Sequence, residues 1–130
     1  MRVVLPLLAL IATLVAAAPV TAQVAPYRAL GTEPFWAVTV TGGVARYSDP
    51  ETPDGRPVEV RRFAGNSGLG FSGRLDGASF DLVVTAGTCS DGMSDRRYPF
   101  TATLRLGDRT VEGCASTDRA RPQPDDGTRP

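Results

Sequence analysis

The chain has 130 residues, with 14 basic and 14 acidic side chains for a formal net charge of zero, and it contains no histidine. Every basic residue is arginine, which excludes histidine-ligated zinc, Ser-His and Cys-His dyads, Ser-Lys pairs and Schiff-base lysines. Balanced charge gives no electrostatic reason to expect nucleic acid or an anionic membrane surface as partner.

Residues Met1 to Ala22 read as a secretory signal. Arg2 supplies the positive start, Val3 to Ala18 an apolar run broken by Pro6, and Val20-Thr21-Ala22 a small-residue cleavage site before Gln23. The run is about 16 residues, short of the roughly 20 that span a bilayer. A soluble product in the periplasm or outside the cell is expected, without a transmembrane segment; the alternative is a signal retained as an anchor. No cysteine lies near the cleavage site to carry a lipid. Cleavage leaves 108 residues with 13 basic against 14 acidic side chains, one domain at most. In an oxidising compartment the two cysteines of so small a domain, Cys89 and Cys114, are expected to form a disulfide rather than two free thiols.

After a lead-in from Ala25 to Leu30, Phe35 to Tyr47 reads as a hairpin around Gly42-Gly43, a turn that tolerates positive φ at both positions. This turn sets Thr41 opposite Val44, Val40 opposite Ala45, Thr39 opposite Arg46 and Val38 opposite Tyr47. Trp36, Val38, Val40, Ala45 and Tyr47 then share the core face. Ser48 to Pro57 holds three prolines and reads as a surface loop. Val58 to Phe63 is a short strand without a clear facing, and Gly65 to Gly68 a flexible connection.

A second hairpin turns at Asp76-Gly77, pairing Leu75 with Ala78, Gly73 with Phe80, Phe71 with Leu82 and Leu69 with Val84. Gly73 opposite Phe80 suggests a ring lying over the glycine. Tyr98, Phe100, Ala102, Leu104 and Leu106 alternate with polar residues, and a turn at Gly107-Asp108 returns the chain through Arg109 to Ala115. By parity Leu104 faces Val111 inside and Cys114 falls opposite Thr101 outside, so the disulfide would tie the last strand to the outside of the central stretch. Ser116 to Pro130, with three prolines, six charges and no large apolar side chain, is expected to be a disordered tail. No helical period is sustained. The fold class is therefore all-β: a small antiparallel meander of about seven strands, a partly open barrel over residues 23–115, with one disulfide.

Two segments carry candidate chemistry. Glu33 and Trp36, in Gly31-Thr32-Glu33-Pro34-Phe35-Trp36, read either as a strand cap and a core plug or as the rim and floor of a ligand pocket, since an aromatic beside a carboxylate suits sugars or cations. The central stretch from Cys89 to Pro99 offers Ser90, Asp91, Met93, Ser94, Asp95 and Tyr98. Its two aspartates could in principle do acid and base work if burial separated their pKa values, but Asp91-Gly92 is also ordinary turn chemistry. The spacing does not match a calcium loop, and Met93 lacks the further ligands that copper needs. No metal and no cofactor are expected.

Three segments together resemble a family of bacterial exported proteins described mostly as lipoproteins or membrane proteins: Gly-Thr-Glu-Pro-Phe-Trp at 31–36, Cys-Ser-Asp-Gly-Met-Ser-Asp with Tyr-Pro at 89–99, and Gly-Cys-Ala at 113–115. The central motif is more distantly similar to the META-type domain of a heat-shock-associated envelope protein. The resemblance implies a small β domain in the periplasm and the pairing of Cys89 with Cys114, and brings no activity. This chain departs from lipidated relatives in lacking a cysteine after its signal. Inhibitors of animal-type lysozymes share the size, disulfide and compartment without a close motif match. A non-enzymatic, monomeric binding or envelope-stress module is expected, taking an unknown small molecule or envelope protein. The alternatives are an inhibitor of a cell-wall hydrolase that inserts Ser90 to Tyr98, and a carboxylate enzyme using Glu33, Asp91 or Asp95.

Overall fold

Nine strands are found in a computed structural model, which describes residue 4, residues 12–18 and residues 25–125. They are β1 (Tyr27–Thr32), β2 (Phe35–Thr41), β3 (Val44–Ser48), β4 (Arg56–Gly65), β5 (Gly68–Leu75), β6 (Ala78–Ser90), β7 (Arg96–Leu106), β8 (Arg109–Thr117) and β9 (Gln123–Pro124). Among the described residues there is no helix, and so none long and apolar enough to cross a membrane. The expected signal segment falls mostly outside the described residues, as does its cleavage site.

Each strand from β1 to β8 pairs antiparallel with the next, and β8 returns to β1 with Ala29 opposite Ala115 and Leu30 opposite Cys114. This closes an eight-stranded up-and-down barrel, which leaves its eight strands without a long free edge. The eighth strand is β1, expected only as a lead-in. Its inward residues Tyr27, Ala29 and Gly31 are mostly small, and the Trp36 ring lies over Gly31.

Both glycine-centred hairpins have the register their turns dictate. Val40 faces Ala45 and Val38 faces Tyr47 in one, and Phe71 faces Leu82 and Leu69 faces Val84 in the other. The inward set of Val38, Val58, Phe80, Leu82 and Leu104 is buried to 1 % exposure or less, filling the interior as small barrels require. One packing detail differs from expectation. A Cβ on Gly73 would meet the Glu59 carbonyl oxygen at 2.2 Å, not the Phe80 ring, so this glycine admits the neighbouring β4 backbone. Rings cover glycines elsewhere: Trp36 over Gly31 inside, and Phe63 over Gly70 outside.

The C-terminal segment also differs from the expected disorder as far as Asp125. Ser116 and Thr117 end β8 at 7 % and 8 % exposure, and Gln123–Pro124 pairs with Arg96 and Arg97 of β7 as β9. Ion pairs Arg28–Asp118 and Arg97–Asp125 flank this strap. Polar anchoring substitutes for the missing apolar side chains, which composition alone does not reveal.

Candidate functional site

The central stretch is a flap folded over the outside of the barrel. β6 and β7 pair regularly from Phe80–Leu106 to Ala86–Phe100, then slip by one residue before Cys89–Tyr98. The slip sets Gly87 and Thr88 against Pro99, which has no N–H to give the ladder. Such a bulge bends the hairpin. Beyond it Cys89 bonds to Cys114, with Cα atoms 5.6 Å apart, on the outer wall of β8.

The bend also changes the side on which Tyr98 lies. Simple alternation with Phe100 and Ala102 would put Tyr98 inside the barrel, but it lies outside the core cluster. It is 7 % exposed because it packs beneath the flap, beside Leu30 and Ser116 of the outer wall. Burial pushes its phenol pKa up, and the nearby Asp91 charge adds to the effect.

Asp91 fixes the flap's loop. Its Oδ1 accepts the Met93 N–H at 3.0 Å and the Ser94 N–H at 2.8 Å, while Oδ2 accepts the Ser94 hydroxyl at 2.7 Å. Tyr98 Oη stands 3.5 Å from Oδ2. These donors, the Ser94 N–H foremost, hold the Asp91 carboxyl down to about 2. Its backbone carbonyl accepts a hydrogen bond from Thr32 Oγ1 at 2.8 Å. With Gly92 at φ 76° completing the turn, the loop is held by the disulfide, by Thr32 and by its own aspartate. Met93 stands at its tip, 70 % exposed.

Two grooves flank the flap. One, of about 480 Å³, lies between it and the β1 and β8 wall and is lined by Thr32, Glu33, Ser90, Asp91, Thr101 and Glu112 among others. The second, of about 760 Å³, runs along the other side, where β7 parts from β8. Leu30, Tyr98, Pro122 and Pro124 give it an apolar bed, and Arg28, Arg96 and Arg121 stand around it.

The residues singled out in the sequence are thus divided. Glu33, Ser90 and Asp91 share the first groove, Ser94, Asp95 and Tyr98 share the second, and the exposed Met93 lines neither. Trp36 lines neither. It is 3 % exposed in the core and donates its indole N–H to the Glu112 carbonyl at 3.4 Å. Asp91 and Asp95 open onto different grooves, and Asp91 is engaged as an ionised acceptor, an arrangement unlike a paired acid and base. Among the described residues no three of His, Cys, Asp and Glu stand together as a metal site.

Sequence reasoning missed the barrel side of these grooves. Arg28, Leu30 and Thr32 alternate outward along β1, a signal hidden by reading that segment as a lead-in. No family model matches the chain, and no curated protein or solved structure matches it either.

Proposed function

We propose that this chain is a non-catalytic exported module that binds its partner through the flap on its outer wall rather than through a lumen. One observation carries this reading: the loop from Ser90 to Tyr98 is pinned to the barrel by a disulfide and fixed internally by Asp91, yet holds Met93 at 70 % exposure. A loop ordered before binding loses less conformational entropy on contact, so fixing an exposed apolar tip favours recognition. The grooves on either side supply polar and apolar neighbours. Export to the periplasm or beyond follows from the signal-like N-terminus, and an envelope-stress role from the motif resemblance.

The protruding tip favours a second reading, in which the partner is a cell-wall hydrolase of the animal lysozyme type and the loop enters its cleft as an inhibitor. Calorimetry of the purified protein with soluble cell-wall fragments and with lysozyme, beside a lysozyme activity assay, separates the two. Fragment binding without loss of lysozyme activity supports the module; stoichiometric inhibition supports the inhibitor. Either should weaken about tenfold on Met93→Asp, which puts a charge at the contact. Hydrolysis of the fragments by the protein would overturn both.

A further inference from the structure

The two ends of the barrel are built differently. At the end where β2 begins, Trp36, Tyr47 and Phe80 fill the interior, each 4 % exposed or less. There Tyr47 donates to Asp49 Oδ2 at 2.9 Å, beneath the β3–β4 loop. At the opposite end, where β2 turns into β3, a recess of about 320 Å³ opens among Tyr27, Val40, Val60 and Phe71. Gly42 and Gly43 form its lip and bring no side chains to cover it. The β6–β7 hairpin, which leaves from the same end, is bent away over the outer wall.

The recess has an aromatic wall and a single cation. Tyr27 lies at a tilt to Phe71, 5.7 Å between ring centroids, and to Phe100 at 6.0 Å. Along β4, alternation puts Val58, Val60 and Arg62 on the inward face, and Arg62 pairs directly with Phe71. An arginine at an inward position runs its apolar stem along the wall and holds its guanidinium at the rim. Arg28, Arg56 and Arg97 each have a carboxylate partner. Among the described residues Arg62 has neither an ion pair nor a side-chain hydrogen bond, and no acidic residue lines the recess.

We propose that this recess binds a small monocarboxylate with a flat apolar body, of about the size of a naphthoate. The ring system would lie against Tyr27, which Phe71 backs from the core, and against Val60, and the carboxylate would take the forked donors of Arg62. The volume is at the low end for ligand pockets, which excludes larger lipids. A neutral body of the same shape would leave the guanidinium without its anion. This site is separate from the flap and independent of the reading above.

The test is titration of the purified protein with 2-naphthoate and with 2-naphthamide, followed by calorimetry and by amide NMR shifts. Saturable naphthoate binding with shifts grouped at Tyr27, Val40, Val60 and Phe71 is expected. The amide, and naphthoate with Arg62→Ala, should each bind about tenfold more weakly or worse, the loss of one charge-assisted pair. Arg62 is exposed at the rim, so its replacement should spare the fold, and the amide comparison needs no variant. Absence of saturation at millimolar naphthoate, equal affinity for acid and amide, undiminished binding by Arg62→Ala, or shifts centred on the flap would each overturn the proposal. Met93→Asp should leave naphthoate binding unchanged, so failure of this site and failure of the flap reading are told apart.

Discussion

Thr32 Oγ1 donates a 2.8 Å hydrogen bond to the carbonyl of Asp91, joining the end of β1 to a loop 59 residues further along the chain. Together with the disulfide, it holds the flap against the wall from two sides. Thr32→Val keeps the shape and removes the donor, and should cost about 1 kcal/mol. Faster amide exchange at residues 92–95, with barrel amides unchanged, is the expected signature. Unchanged exchange would mean that the loop holds itself without the wall.

The disulfide should matter more to global stability. It closes a loop of 25 residues, for which the chain-entropy model gives roughly 3 to 4 kcal/mol. Cys89→Ser with Cys114→Ser should lower the denaturant midpoint accordingly and make it insensitive to reductant. An unaltered midpoint would show that the barrel alone sets stability.

Asp91 gives a pH dependence with a definite sign. Its carboxyl is depressed from 3.8 to about 2 by the donors around it. The ionised form therefore stabilises the folded loop at pH values above about 4, and this contribution is lost as pH falls through about 2. An NMR titration should find the Asp91 midpoint near 2, and Asp91→Ala should remove the acid-dependent change in loop exchange. A midpoint near 4 would show that the turn does not hold the carboxylate.

Trp36 should behave as a core residue. Trp36→Ala is expected to cost roughly 3 to 5 kcal/mol, and its fluorescence should resist quenching by iodide. The packing around it predicts a further contrast between two glycines. A Cβ at Gly113 would lie 1.9 Å from the Leu30 carbonyl oxygen, whereas one at Gly42 meets nothing within 4 Å. Gly113→Ala should therefore disrupt β1–β8 closure, while Gly42→Ala costs only the strain of its positive φ, about 1 to 2 kcal/mol. Equal melting temperatures for the two variants would contradict this packing.

The barrel was legible wherever turn chemistry and alternation agreed, as at Gly42-Gly43 and Asp76-Gly77, whose pairings follow residue by residue. It was hidden where side chains were small or parity was broken. The inward residues Ala29 and Gly31 have no apolar bulk to mark β1, and a bulge opposite Pro99 moves Tyr98 from the interior to the outer wall. The place of the disulfide followed from counting across the Gly107-Asp108 turn. The flap did not, because its contacts with Thr32, Leu30 and Ser116 depend on how far the hairpin bends. Nor did composition reveal the strap from Asp118 to Asp125, which is held by ion pairs and backbone pairing.

The most direct measurement is amide-shift mapping of the labelled protein during titration with soluble cell-wall fragments, and separately with lysozyme. Binding through the flap predicts saturable changes concentrated at Ser90 to Tyr98 and at Leu30 and Thr32 beneath it, with the fragments recovered intact. Saturable changes elsewhere that leave the flap untouched, or cleavage of the fragments, would contradict it.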